Sequence, residues 1–204
     1  MIQQLELKHL AAYLPYKLNI LREGKIVELC GLEQPYKTNK SYHIRGETKI
    51  PNGTYRQTCS FYVDEKGLEV FKPILRPLSD LTKEIEHNGE RFIPMVELLK
   101  ISQTDQIYNL TAKYDVVKAW SDTGSIGLEY FSIRYSWEAS NDMVVIADLM
   151  YDTMFNRFTL RQKQPLEKCQ WLQYDVLEEK LLEWHFDKFK LLQYGLAISI
   201  NDIK

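Results

Sequence analysis

The sequence predicts an α+β fold: a mixed or antiparallel sheet with a long C-terminal helix packed on it. Three observations lead there. Several segments alternate apolar and polar residues as half-buried strands do, and many of the 13 tyrosines fall in them. Residues 175–194 instead repeat their leucines at helical spacing. Finally, 204 residues with a 45% hydrophobic and 26% charged fraction suffice for one core, so a single domain over 1–204 is expected, with a protruding ribbon or loop at 33–56.

Each element has a local reason. LELKHLAAY, residues 5–13, spaces its leucines as a short helix, which Leu14-Pro15 ends because proline cannot continue the hydrogen-bond ladder. Leu18 and Ile20 alternate, Glu23-Gly24-Lys25 turns the chain, and 26–32 runs back as a hairpin. QTCSFYV at 57–63 reads as a strand. Pro77 opens a helix through Ile85 that Asn88-Gly89 stops, and a second short helix begins near Pro94. Tyr108 to Tyr114 alternate, and LEYFSIRYSW at 128–137 has strand composition. A helix is expected over 143–154, then a strand over 156–162. The long helix follows, from Asp175 as N-cap to Tyr194 with Gly195 as C-cap, and LAISI at 196–200 closes the sheet.

On that long helix Leu177, Leu181, Trp184, His185, Phe189 and Leu192 fall in one arc, and Glu179, Lys180, Glu183, Asp187 and Lys190 fall opposite. His185 is central to the apolar arc and Asp187 lies about 160° away, so the H-x-D pair cannot act as a dyad on a helix. His185 is therefore read as a core or pocket residue with a hydrogen-bond partner, and Asp187 as solvated.

Composition excludes several classes. A net charge of -2, from 26 basic and 28 acidic residues, gives no basic excess of the kind a broad duplex-DNA surface needs. Cys30, Cys59 and Cys169 are scattered and form no CxxC pair, so neither a zinc knuckle nor a disulfide framework is indicated. The N-terminal MIQQLELKHL has no signal-peptide pattern, and no apolar run is long enough to span a bilayer; a cytoplasmic protein with no membrane partner is expected.

Candidate chemistry is sparse. DTGS at 122–125 resembles the active-site loop of aspartic peptidases, which would make Asp122 a catalytic carboxylate. Its flanks, Ala119-Trp120-Ser121 before it and no hydrophobic-hydrophobic-Gly strand after it, do not follow that pattern, and the composition is that of an ordinary turn. TGSIG has neither nucleotide-loop spacing, and His9, His43, His87 and His185 show no paired ligand spacing, so no cofactor and no metal are expected. Arg157, Arg161 and Lys163 can project from one strand with Phe158 and Leu160 behind. Lys37, Lys40, Arg45 and Lys49 lie near Tyr36, Tyr42 and Tyr55 in the polar 33–56 region. Both are candidate contacts for single-stranded nucleic acid, with a solvated ribbon as the plainer account.

LKHLAAYLPYKLNI, KPILRPLSDLTKEIEHNGERFIP and LLEWHFDKFKLLQYGLAISIN together resemble a family of small uncharacterised proteins encoded by phages and integrated elements of Bacteroidales gut bacteria. The resemblance covers rather over a quarter of the chain and leaves 101–170 unmatched. It implies a cytoplasmic product of a mobile element and supplies no fold, cofactor or catalytic residue. The expectation is an accessory protein without catalysis that binds a host or phage macromolecule, most simply a protein. The alternatives are a single-stranded nucleic-acid binder in element replication or regulation, and a small hydrolase using His185 or Asp122. A homo-oligomer stays open.

Overall fold

The computed structural model describes residues 4–33, 42–49, 56–63, 66–103, 115–123, 129–138, 144–153, 155–164, 168–171 and 174–203. In chain order it holds α1 (Leu7–Ala11), β1 (Asn19–Arg22), β2 (Lys25–Glu33), β3 (Tyr42–Lys49), β4 (Arg56–Val63) and β5 (Lys72–Leu75). Then come a 3-10 turn (Leu78–Thr82), β6 (Ile85–His87), β7 (Glu90–Phe92), α2 (Pro94–Gln103), β8 (Asp115–Thr123), β9 (Glu129–Glu138), β10 (Val144–Asp152), β11 (Arg157–Gln164) and β12 (Lys168–Trp171). α3 (Tyr174–Glu183) and β13 (Ile198–Ser199) follow. The chain divides into two compact units, Met1–Pro77 with Leu181–Lys204, and Leu78–Lys180.

The first unit is built on a six-stranded sheet in the order β13-β5-β1-β2-β3-β4, with β13 parallel to β5 and the other pairs antiparallel. Glu23 and Gly24 both hold positive φ, 48° and 78°, the two-residue hairpin turn whose twist suits flanking strands. Leu18, Ile20, Val27, Leu29, Ile44, Phe71 and Leu75 make the core, joined by Leu5, Leu10 and Tyr13 from the N-terminal segment and by Leu191, Leu196 and Ala197 from the C-terminal one. Arg22 stacks on Phe61, its guanidinium carbon 3.9 Å from the ring centroid, across the strands.

The second unit carries an antiparallel sheet in the order β12-β11-β10-β9-β8, a β6–β7 ribbon, the 3-10 turn and α2. Register places Phe131, Tyr151 and Phe158 in one row, all fully buried, with Leu149 beside them on the same face. The 3-10 turn and α2 lie against β9, bringing buried Leu81, Met95, Leu98 and Leu99 to this unit's core.

Several expectations are corrected. The fold is strand-dominated, with three short helices among the described residues, and the long C-terminal helix does not form. α3 begins at Tyr174, next to the expected Asp175, but stops at Glu183. The His185 amide bonds the Leu182 carbonyl at 3.0 Å, and the Phe186 amide bonds that of Leu181 at 2.8 Å. With His185 at φ 59° between them, this is a Schellman stop that has a histidine where glycine is usual. Gly195, at φ 66°, does terminate a turn, through Leu196 N to Leu191 O at 2.9 Å, but that turn starts only after Asp187.

The helix expected over 143–154 is the strand β10. As the central strand of its sheet it is buried at Asp148 and Leu149 on opposite faces, which removes the alternation that would have marked it. The helix expected after Pro77 is a 3-10 turn, and Asn88-Gly89, at φ 52° and 84°, turns the β6–β7 hairpin instead of ending a helix. α2 begins at Pro94 as expected. The Tyr108–Tyr114 segment and the tip residues of the 33–56 region, 34–41 and 50–55, lie outside the described residues. Within that region 42–49 is β3, a regular sheet strand.

Candidate functional site

Two places hold the residues singled out by sequence. The first surrounds the bend after α3. Phe186 extends alongside Arg76 in a one-residue parallel bridge, in which the Arg76 amide donates to the His185 carbonyl at 2.8 Å and the Asp187 amide donates to the Arg76 carbonyl at 2.9 Å. Tyr13, fully buried, donates its hydroxyl to the Phe186 carbonyl at 2.6 Å and accepts the Lys188 amide at 3.3 Å. His185 Nε2 lies 2.7 Å from the Tyr16 carbonyl; a carbonyl only accepts, so that nitrogen carries the proton. His185 thus has the partner expected of it, though from a bend and half-buried.

Asp187 reverses its expected role. It is 4% exposed, and its two oxygens accept the Leu191 and Leu192 amides at 2.8 Å each, capping the turn that leads to Gly195. Burial raises its carboxyl above the ordinary value, against the opposing effect of the two amide bonds. His185 and Asp187 are each engaged with a different backbone segment. His9, also buried, accepts the Glu6 amide on Nδ1 at 3.0 Å and faces Phe189, ring centroids 5.2 Å apart; burial depresses its pKa. These groups hold backbone in place, and their polar atoms are turned to that work.

The second place is the sheet face opposite the Phe131 row. Arg157 pairs in register with Asp152, and Arg161 with Asp148. Lys163 is the extra residue of a bulge, because Gln162 pairs with Ala147 and Gln164 with Ile146; it therefore leaves the row that simple alternation assigned it. Continuing the register through β9 and β8 puts Lys118, Arg134, Asp148 and Arg161 in one cross-strand row. The next row runs Trp120, Ser132, Met150, Thr159, Trp171. The third holds Asp122, Tyr130, Asp152 and Arg157.

Asp122 is thus a strand residue of β8, paired with Tyr130, and Gly124-Ser125 lie outside the described residues. At the hairpin tip Phe155 is 56% exposed, and the Arg157 guanidinium carbon lies 4.4 Å from its ring centroid. Asp152 Oδ1 accepts the Phe155 amide at 3.2 Å, and the Tyr151 hydroxyl lies 3.1 Å from Asn156 Oδ1, so the tip is braced from both sides.

A smaller polar cluster lies on the first unit's sheet, where Glu33 meets His43 at 3.0 Å and Arg45 at 2.8 Å. The His43 hydrogen bond, and then the Arg45 charge, hold the Glu33 carboxyl low. Arg45 is therefore tied to a carboxylate. Cys30, the bulge residue of β2, is exposed, and its thiol is pushed up mainly by burial, the opposite of an activated nucleophile. Among the described residues no group of three His, Cys, Asp or Glu could hold a metal ion, and no helix is long and apolar enough to cross a membrane.

Sequence reasoning missed Tyr13, Arg76 and the cross-strand row through Lys118 and Arg134. Tyr13 and Arg76 act through partners more than a hundred residues away, which no local pattern reports. The row needed strand register, since its members are spaced over four strands. Phe155 had one signal: Asn156, a residue tolerant of positive φ, marks a turn and holds φ 48°. Comparison with protein-family models, curated proteins and solved structures finds no match to this chain.

Proposed function

We propose that the protein works by binding a macromolecule, without catalysis, through the hairpin tip of its five-stranded sheet that carries Phe155 and Arg157. The observation that carries this reading is the braced hairpin tip, where Phe155 is 56% exposed beside the stacked Arg157. Those residue types dominate binding surfaces because they offer large contact area with a polar edge. The engagement of His185 with the Tyr16 carbonyl supports it further, since the hydrolase alternative draws on that group. The resemblance to proteins of mobile elements supports an accessory role in a phage or prophage, in the cytoplasm of its host.

A photo-crosslinking phenylalanine analogue placed at Phe155 in producing cells tests the reading. A covalent adduct to a macromolecule is expected from position 155 and none from Val176, an equally exposed residue at 53% on α3. Absence of an adduct at 155, or equal adducts from both positions, would remove the reading.

A further inference from the structure

We propose that the eight-residue edge strand β4 pairs with β4 of a second copy of this chain, antiparallel and centred on Ser60, so that two six-stranded sheets join into one. An edge strand offers a row of backbone N–H and C=O groups to any strand that reaches it. Proteins that remain monomeric blunt such edges with short strands, charges, proline or bulges. The ends of the two larger sheets differ in this respect. β13 has two residues and runs into a 3-10 turn. β12 has four and opens with Lys168. β8 is bulged at Val117 and has Asp115, Lys118 and Asp122 in its sequence. β4 has none of these devices. Its RQTCSFYV pairs with β3 at every residue without a register shift, lacks proline and acidic residues, and has its one charge at the first position. Among the described residues no strand pairs with its other side.

The chemistry of the strand selects the occupant. Phe61 pairs with buried Ile44 and packs on Phe71, ring centroids 5.6 Å apart, so β4 turns Phe61, and Cys59 two residues before it, toward the core. Both are half-buried, because the core ends at this edge; Thr58 and Ser60, on the other side, are exposed. A two-fold pairing centred on a residue keeps core side with core side, whereas one centred between residues sets Phe61 against the exposed side of the other copy. Centred on Ser60, the pairing sets Cys59 opposite Phe61 of the second copy and Phe61 opposite its Cys59, which continues the core across the junction. The same register sets position 56 opposite position 64, an arginine opposite an aspartate, twice by symmetry. Centred on Cys59 the arginine would meet Tyr62, and centred on Phe61 it would meet Lys66. A parallel arrangement would set arginine beside arginine.

Sedimentation velocity of the full chain over a concentration series, together with cysteine crosslinking, tests the inference. A reversible dimer is expected. In a Cys30→Ser background, which removes an exposed native thiol, Ser60→Cys is expected to form a disulfide with its own copy under mild oxidation. Directly opposed residues have Cα atoms about 4.5–5.5 Å apart, within disulfide reach. Thr58→Cys should not crosslink, since its own copy lies four residues along, about 14 Å away. Both positions are exposed, so folding is not at stake. Arg56→Asp is expected to weaken the dimer about tenfold, because two like-charged pairs replace two opposite ones, and adding Asp64→Arg is expected to restore it.

A chain that stays monomeric throughout the series overturns the inference. So does a dimer that crosslinks through Thr58→Cys as readily as through Ser60→Cys, or one whose strength ignores the charge reversal. Weakening by Arg56→Asp that the double exchange does not rescue overturns it as well.

Discussion

Asp187 accepts the Leu191 amide at 2.8 Å from a position 4% exposed, so a carboxylate that helical spacing would place in water is instead the anchor of the C-terminal turn. Its other oxygen takes the Leu192 amide. Replacing it by alanine leaves two amides without their acceptor. Asp187→Ala is expected to cost about 3 kcal/mol in urea unfolding, whereas Asp202→Ala, at an exposed position, should cost under about 0.5 kcal/mol. Equal small losses at both sites would remove the anchoring role.

The same carboxyl sets a pH dependence. Burial raises its folded pKa above the ordinary 3.8, so the folded state holds the proton more tightly than the unfolded one. That contribution is full below pH 3.8 and is lost as pH rises through the raised folded value. Relative to Asp187→Asn, which cannot titrate, the native chain should lose stability over that rise. Denaturation midpoints of both proteins across the acid range read the slope, and a native chain that gains on the variant contradicts it.

His9 works in the other direction. Burial depresses its folded pKa below the ordinary 6.5, with Lys8 adding and Glu6 opposing. Its contribution is present above pH 6.5 and is lost as pH falls through the depressed folded value. His9→Asn keeps an acceptor for the Glu6 amide and abolishes titration. The native chain should fall behind this variant on acidification below pH 6.5 and run parallel to it above, as thermal melts at paired pH values would show.

His185 distinguishes the bend from a continued helix by the sign of a single difference. At φ 59° glycine is favoured over alanine by about 1 kcal/mol, while inside a helix alanine is favoured over glycine by a similar amount. Both substitutions remove the imidazole's bond to Tyr16, so their comparison isolates the backbone. His185→Gly should be the more stable of the two, and the reverse order would restore the helix through this position.

Tyr13 fastens the N-terminal segment to that bend. Tyr13→Phe keeps the ring that meets Phe189 edge-on at 6.0 Å but removes the hydroxyl bonded to the Phe186 carbonyl. A loss of about 1–2 kcal/mol is expected in equilibrium unfolding. No change would mean that the Lys188 amide, which also donates to the Phe186 carbonyl at 2.8 Å, suffices for it.

Much of the fold was legible where the determining chemistry is local. Pro15 ends α1 within a few residues, Pro94 opens α2, and Glu23-Gly24 turns the first hairpin because these residues constrain their own φ or that of a neighbour. The candidate site was legible in part. Arg157 and Arg161 were named from one strand's alternation, but Lys163 left the row through a bulge and Lys118 and Arg134 entered it through register. Asp122 and His185 were visible as residue types, while their surroundings were not.

Sequence by itself determined the Glu23-Gly24 turn, the short helices α1 and α2 beside Pro15 and Pro94, the strand character of 57–63 and 129–137, and the αL stop at Gly195, each set by the torsional and steric preferences of a few adjacent residues. Tertiary structure alone decided that α3 ends at Glu183, that 144–152 is a central strand, and that Asp187 is buried. In each of these cases local preference was nearly balanced. What tipped it was a hydrogen bond or a buried face supplied from far along the chain: Arg76 beside Phe186, Tyr13 beneath it, and β9 and β11 on either side of β10.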